Sequence, residues 1–314
     1  MRRLCLLCAV ARGAAVSMPR LIEAKLARAA VPLAASVDAA ADLRSRGVAR
    51  IDGVLPAVRC AALRLHCGAL AERSPDPEAA KWAAWMGAAD ARYVPGTRLR
   101  FGDALEQRLE RHRRDVLLPV EDRLVRESLG EAAAAVRGAL RGAAGCLPGG
   151  GRGGGLELVE CGLLASTFGA GHQRLHADFR RDGLLGLRAG DRGAMPPRLV
   201  TFVYLQDTPT VAHGPTGFLP GTATAAAHTA AVAPDGAVIA DALAGAVAEV
   251  ATVAAGDAVL YDASVLHWGS SNRTPANERA IFYFGVAAAG AAAARAGPPA
   301  AGFEPAPPVR LDDL

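Results

Sequence analysis

The stretch Gln173-Arg-Leu-His-Ala-Asp178 follows a run of strand-forming residues. Residues 156–164 predict a strand, and the glycines at 169 and 171 predict a turn between that strand and the stretch. Side chains at positions i and i+2 of an extended chain share one face, about 6.6 Å apart along the chain. His176 and Asp178 can therefore direct an imidazole and a carboxylate toward one common ion.

A third metal ligand is expected from residues 256–273, GDAVLYDASVLHWGSSNR. This stretch predicts a turn at 256–257 and a strand at 258–261, and His267 stands where that strand pair ends. Two histidines and one carboxylate, with coordination positions left open, are the ligand set of non-haem Fe(II) oxygenases. His176, Asp178 and His267 are thus the candidate metal ligands.

Arg279 is a candidate for binding an acidic cosubstrate, because it directly precedes a predicted strand at 280–286. Its planar guanidinium can hold the distal carboxylate of a keto-diacid through two parallel hydrogen bonds. A lysine anchor is not expected in this part of the chain, since no lysine follows Lys81.

The β-like runs of the second half of the chain favour an antiparallel sandwich or jelly roll. Turn residues separate these runs, which are 156–164, 199–205, 217–220, 250–253, 258–261 and 280–286. The first half shows helical spacing instead. We expect two helices around a short strand at 48–51 within residues 38–72, and a further helix over 103–143 that Pro119 kinks or splits.

The predicted layout is one domain with an extra segment at each end. The parts are a targeting or disordered N-terminal segment (1–32), a single oxygenase domain (33–286) and an Ala/Pro-rich tail (287–314). The domain divides into a helical part (33–144), a Gly-rich connector (145–155) and a β core (156–286). The Arg-rich start, with no acid before Glu23, indicates an organellar transit segment or else a cytoplasmic protein. The glycine-rich insertion at 179–197 is expected to be a mobile lid.

Composition excludes several classes of protein. The net charge is only +4, from 35 basic and 31 acidic residues, so we expect no nucleic-acid partner. No apolar run is long enough for a membrane span. The 6 cysteines follow no pattern, which favours free thiols in a reducing compartment.

The motifs together resemble the phytanoyl-CoA dioxygenase-like branch of the Fe(II)/2-oxoglutarate oxygenases. The resemblance lies in the order of three blocks over residues 156–286, and more faintly in 47–55 and 114–115. The blocks are Gln173-Arg-Leu-His-Ala-Asp178, Val203-Tyr-Leu-Gln-Asp with His213-Gly-Pro-Thr-Gly-Phe-Leu-Pro-Gly221, and Leu266-His-Trp-Gly-Ser-Ser-Asn272 with Arg279. The sequence departs from many relatives where Thr222 and Ala223 follow Gly221, and in its insertion at 180–197.

This resemblance implies a mainly β fold with flanking helices: a double-stranded β-helix (jelly roll, cupin-like) core and a helical N-terminal half. It implies that His176, Asp178 and His267 bind Fe(II) and that Arg279 binds 2-oxoglutarate. Dioxygen and a small organic molecule are the other substrates, and ascorbate is expected to support the reaction in vitro. Further pocket or supporting residues are expected at Gln173, Trp268 and Asn272.

The implied reaction is hydroxylation of an unactivated C–H bond, with release of succinate and CO₂, or desaturation if the substrate radical is badly placed. Because Asp178 fills the position that is small in halogenating relatives, no chlorination is expected. Two alternatives stay open at this point. One is a cupin-like metal enzyme that does not use 2-oxoglutarate, for which His172 would have to supply a further imidazole. The other is a non-catalytic β-helix binding protein.

Overall fold

The computed structural model describes residues 29–72, 98–100, 112–120, 122–147, 155–173, 175–178, 197–231, 245–290 and 309–314. The predicted targeting segment before residue 29, most of the connector, the lid at 179–196 and the tail at 291–308 lie outside these residues. No helix in the described part is both long and apolar enough to cross a membrane.

The described chain is mainly β with a few helices, as the sequence predicted. The strands are β1 (Val31–Pro32), β2 (Val48–Ile51), β3 (Arg98–Arg100), β4 (Arg113–Leu117), β5 (Leu156–Thr167), β6 (Leu199–Tyr204), β7 (Thr216–Phe218), β8 (Glu249–Val250), β9 (Ala258–Asp262), β10 (His267–Gly269) and β11 (Glu278–Ala288). The helices are α1 (Ala39–Arg46), α2 (Ala57–Glu72), α3 (Arg123–Ala143) and α4 (Ala225–Ala231), with 3-10 turns at Ala144–Cys146 and Leu311–Asp313.

Two sheets carry the structure. The larger is 7-stranded with the order β2-β9-β6-β11-β5-β4-β3, and its pairings are antiparallel. The smaller is 4-stranded with the order β1-β8-β7-β10, in which β1 and β8 are parallel. The long strand β11 lies in the middle of the larger sheet, between β5 and β6, so its side chains are flanked on both sides.

Strand β11 shows how the two faces of the larger sheet differ. Phe282 and Phe284 are fully buried in a cluster with the apolar face of α3. Ile281 and Tyr283 belong to a second, aromatic cluster, which includes residues of the smaller sheet. Because successive side chains of a strand point to opposite faces, Arg279 shares the face of Ile281 and Tyr283. The alternation therefore places Arg279 on the face turned toward the smaller sheet.

The prediction for residues 38–72 is confirmed. Asp38 caps α1 by accepting a hydrogen bond from the Ala41 N–H at 2.9 Å, which satisfies one of the unpaired amides of the first turn. Gly47 ends the helix with a φ of 75°, a left-handed conformation that glycine adopts without strain. Strand β2 then covers the predicted residues 48–51 and joins the edge of the larger sheet.

The predicted helix over 103–143 is wrong at residues 113–117. This segment is strand β4, paired with β3 on one side and β5 on the other. Helix α3 begins only at Arg123, after Pro119. The Asp122 carboxylate caps it by accepting hydrogen bonds from the N–H groups of Leu124 and Val125. Five residues are too few for apolar spacing to separate a helix from a strand, and pairing with the distant β5 decides the outcome. The first half of the domain therefore contributes β2, β3 and β4 to the sheet and is not wholly helical.

The strand predicted at 280–286 is longer in the structure. Strand β11 continues two residues past 286, to Ala288. At the C-terminal end the Leu158 N–H donates to the Val309 carbonyl at 2.8 Å, and Leu311 is buried. The described end of the tail thus packs on the domain.

Candidate metal centre

Three of the predicted residues lie close together and line one cavity. His176, Asp178 and His267 each offer one ligand atom, and these atoms all lie within 4.8 Å of one another. Asp178 Oδ1 lies 3.8 Å from Nε2 of both histidines. Among the residues that the structure describes, this is the one group of three or more His, Cys, Asp or Glu side chains so placed.

The backbone sets the distance between the two histidines. The His176 N–H donates to the His267 carbonyl at 3.0 Å, and the His267 N–H donates to the His176 carbonyl at 2.8 Å. His267 is also the first residue of β10 and is paired with Phe218 of β7. The imidazole centroids lie 4.4 Å apart. The ligand spacing is therefore a property of the sheet and its bridge to residue 176.

His267 is held in the form that a metal requires. Its Nδ1 donates to the Val265 carbonyl at 3.0 Å, which leaves the lone pair of Nε2 facing the cluster. Burial, and then the neighbouring His176, lower the pKa of His267 to about 4, and the attraction of Asp178 only partly offsets them. The side chain is therefore neutral at physiological pH.

Asp178 is ionised at physiological pH. Burial alone raises the pKa of its carboxyl group. His267, Arg198 and His176, in that order, outweigh burial and lower the pKa below its ordinary value. The Tyr261 hydroxyl donates to Oδ2 at 3.3 Å and adds to the lowering. One anionic and two imidazole donors suit a divalent transition metal, and this donor set fits Fe(II).

Arg279 reaches the same space, which is a cavity of about 160 Å³. The cavity is lined by Glu160, Leu164, Gln173, His176, Asp178, Arg198, Val200, Phe202, Thr216, Tyr261, His267, Gly269, Arg279 and Tyr283. The Arg279 side chain is fully buried, and its Nη1 donates to the Gly214 carbonyl. A guanidinium and a metal-ligand cluster in one cavity fit a cosubstrate with a carboxylate at its far end.

The three remaining predicted residues have different places. Gln173 lines the cavity, and its Oε1 accepts from the Gly269 N–H at 2.8 Å. Trp268 alternates with His267 on β10, is buried, and lies outside the described lining of the cavity. Asn272 is also outside that lining, and its Nδ2 donates to the carbonyls of Ser166 at 2.8 Å and Asn277 at 3.1 Å. Gln173 is thus the one of the three that faces the cavity.

The comparison with protein families decides the assignment. The model described as phytanoyl-CoA dioxygenase (PhyH) matches residues 43–281, which include all three candidate ligands and Arg279. The chain belongs to the phytanoyl-CoA dioxygenase family. It is therefore an Fe(II)/2-oxoglutarate-dependent enzyme. No curated protein matches it in sequence.

The solved structures of SnoN share the fold of this phytanoyl-CoA dioxygenase family member. The epimerase SnoN from nogalamycin biosynthesis, described as non-heme and α-ketoglutarate-dependent, is 16% identical and covers 87% of this chain and 96% of its own, with a TM-score of 0.53. A second SnoN structure, in complex with Fe3+, α-ketoglutarate and nogalamycin RO, is 16% identical and covers 86% of this chain and 92% of its own, with a TM-score of 0.54. HygX from Streptomyces hygroscopicus, with nickel and 2-oxoglutarate bound, is 15% identical and covers 82% of this chain and 88% of its own, with a TM-score of 0.49.

Sequence reasoning missed several polar residues of the dioxygenase cavity, among them Glu160, Arg198 and Tyr261. Arg198 and Glu160 form a buried ion pair with an Nε to Oε1 distance of 2.5 Å. The sequence held one signal that could have identified this pair, namely a charged residue inside or directly beside an apolar strand run. Glu160 interrupts β5, and Arg198 directly precedes β6. Such a charge is costly to bury unless it is paired.

His172 does not join the metal-ligand group among the described residues. Burial, followed by the charges of Arg113 and Arg273, lowers its pKa to about 4. Its ring centroid lies 6.1 Å from that of Trp268. The further imidazole that a cupin-like site would need is thus not supplied by this residue.

Proposed function

We propose that this enzyme hydroxylates an unactivated C–H bond of a small organic substrate, with His176, Asp178 and His267 holding Fe(II) and Arg279 holding 2-oxoglutarate. The observation that carries the proposal is that the three ligands and the buried guanidinium face one cavity. We also infer that the two sheets form a double-stranded β-helix, in which the site lies between the sheets.

The donor atoms are suited to this role. With Fe(II) held there, dioxygen would be the oxidant: one oxygen atom would go to the substrate and the other to 2-oxoglutarate, which would leave as succinate and CO₂. His176, Asp178 and His267 would hold the ion together, because the two histidines are fixed by a backbone bridge and the carboxylate faces both. The keto acid and dioxygen would bind at the coordination positions that these three residues leave open. Arg279 orients the keto acid by forming charge-assisted hydrogen bonds to its distal carboxylate.

The walls of the cavity place the substrate and exclude water. Leu164, Val200, Phe202 and Tyr283 present apolar surface to the space beside the ligands. Phe202 packs edge-on against Tyr261, with centroids 5.0 Å apart. An apolar wall suits a substrate whose reacting carbon bears no charge, held near the metal without binding to it.

Asp178 determines which group returns to the substrate. A carboxylate at this position fills a coordination site that chloride would otherwise take. We therefore infer oxygen transfer without chlorination, even in high chloride. Asp178→Gly is expected to lose hydroxylation without gaining chlorination, since the surrounding pocket is not shaped for the anion.

The test is succinate release from 2-oxoglutarate with Fe(II) and ascorbate, first alone and then with fractionated metabolite extracts. Substrate-stimulated release, absent in His267→Ala, is expected. The product should gain one oxygen; loss of two hydrogens would indicate desaturation, and unchanged mass with inverted stereochemistry would indicate epimerisation, the activity of SnoN. Metal-dependent turnover without succinate would instead favour a cupin-like enzyme, and ligand binding without turnover a binding protein.

A further inference from the structure

A buried ion pair stands directly behind the metal-ligand cluster. The side chains of Arg198 and Glu160 are only 7% and 3% exposed, and they meet at 2.5 Å. The second terminal nitrogen of Arg198, Nη2, lies 3.7 Å from Oδ2 of Asp178. The guanidinium thus lies between two carboxylates, one in the sheet and one in the cluster.

The sheet is built to admit this pair. Glu160 on β5 is opposite Gly285 on β11, and Gly285 is opposite Val200 on β6. Arg198 lies two residues before Val200, so its side chain and that of Glu160 meet across the central strand, above Gly285. A Cβ atom at position 285 would lie 2.8 Å from Glu160 Oε1 and 3.2 Å from Arg198 Cδ. The absence of a side chain at 285 is therefore what makes room for the ion pair.

The two oxygens of Asp178 have separate surroundings. Oδ1 faces Nε2 of His176 and of His267, at 3.8 Å from each. Oδ2 faces the Tyr261 hydroxyl at 3.3 Å and Arg198 at 3.7 Å. A carboxylate on a metal can bind through one oxygen or through both. Donors on Oδ2 favour binding through Oδ1 alone.

We propose that Arg198, itself held by Glu160, is a positioning residue that turns Oδ2 of Asp178 away from the metal, so that Asp178 binds through one oxygen. This inference rests on the proposed function. Its consequence is that a coordination position stays open, because a carboxylate bound through both oxygens would take one more. Glu160 balances the charge of Arg198, so the guanidinium can stand behind the ligand without an uncompensated buried charge.

The experiment is a Co(II) titration of the metal-free full-length protein, followed by visible absorption and calorimetry. The main variant is Glu160→Gln/Arg198→Met, which removes both charges of the ion pair together, so neither partner is left buried without the other and the variant is expected to fold. We expect its Co(II) affinity to fall about tenfold or more, as is usual when a residue that orients a metal ligand is lost, and its absorption bands to shift as Asp178 turns. Arg198→Lys keeps the charge and should restore part of the affinity and the wild-type spectrum.

Arg50→Met is the matched control. Arg50 also forms a partly buried ion pair, 2.9 Å from Asp257, but it lies outside the described lining of the cavity. The Arg50→Met variant should be less stable than wild type but keep the wild-type Co(II) affinity and absorption spectrum. Wild-type affinity and spectrum in the Glu160→Gln/Arg198→Met variant would overturn the positioning role while leaving the proposed function standing. Co(II) binding that survives in His267→Ala would overturn both.

Discussion

Arg279→Lys is expected to weaken 2-oxoglutarate binding while metal binding stays intact. The guanidinium is fully buried in the cavity and already donates from Nη1 to the Gly214 carbonyl. An arginine can keep that contact and still offer a parallel pair of hydrogen bonds to a carboxylate. A lysine has only one side-chain nitrogen, which would have to meet both the Gly214 carbonyl and the keto acid, so one charge-assisted hydrogen bond is lost.

The size of the effect follows from that count. One charge-assisted hydrogen bond is worth about 1.5–3 kcal/mol, which corresponds to a dissociation constant raised about 10- to 150-fold. The expected result is a rise of this size in the KM for 2-oxoglutarate and in its dissociation constant. Co(II) affinity should not change, because Arg279 does not belong to the ligand cluster.

The assay has two parts. Calorimetry of the Co(II)-loaded protein with 2-oxoglutarate gives the binding constant, and succinate release gives the KM. Arg50→Lys serves as control for a general effect of an arginine-to-lysine change in a partly buried ion pair. An unchanged affinity for 2-oxoglutarate in Arg279→Lys would refute the assignment and move the anchor to another residue of the cavity.

Three further perturbations have definite expected outcomes. His176→Ala and His267→Ala should each abolish iron-dependent turnover with a native circular dichroism spectrum, and activity above a few per cent of wild type would contradict the ligand assignment. The pKa of His172 falls from 6.5 to about 4 on folding, so the free energy of unfolding should decrease as pH drops below about 6.5, by at most about 2 kcal/mol at pH 5. In urea titrations, His172→Gln should flatten this dependence of the unfolding free energy on pH, and an unchanged dependence would exclude His172 as its source. In Gly217→Ala the new Cβ would lie 2.2 Å from the Trp268 ring, so we expect a loss of about 1–3 kcal/mol in thermal unfolding, and an unaltered midpoint would show that the ring moves freely.

The sequence was sufficient to predict the three candidate ligands that the structure brings together and most of the strands behind them. His176 and Asp178 stand two apart after a clear strand and turn, and His267 follows another. Such patterns are local, so they can be read without knowing which strands pair. The predicted runs at 199–205, 258–261 and 280–286 correspond to β6, β9 and β11 for the same reason.

What could not be predicted depends on contacts between distant parts of the chain. Strand β4 exists because it pairs with β5, and nothing within its five residues distinguishes it from helix. The partnership of Glu160 with Arg198 depends on β11 lying between their strands with glycine at 285. Strand order is set by the tertiary fold, so a single sequence gives the two charges without showing that they meet.

The reciprocal backbone hydrogen bonds between His176 and His267 bear on how the enzyme acquires its metal. In many small metal-binding domains, the ion itself brings the ligands together, and its removal unfolds the chain. Here the two imidazoles are brought together by peptide groups. Chelators should therefore strip the ion and leave a folded protein that can be reloaded. Nickel, cobalt or zinc would then compete for the same preformed ligands, and the supply of ions in the cell would decide which one is bound.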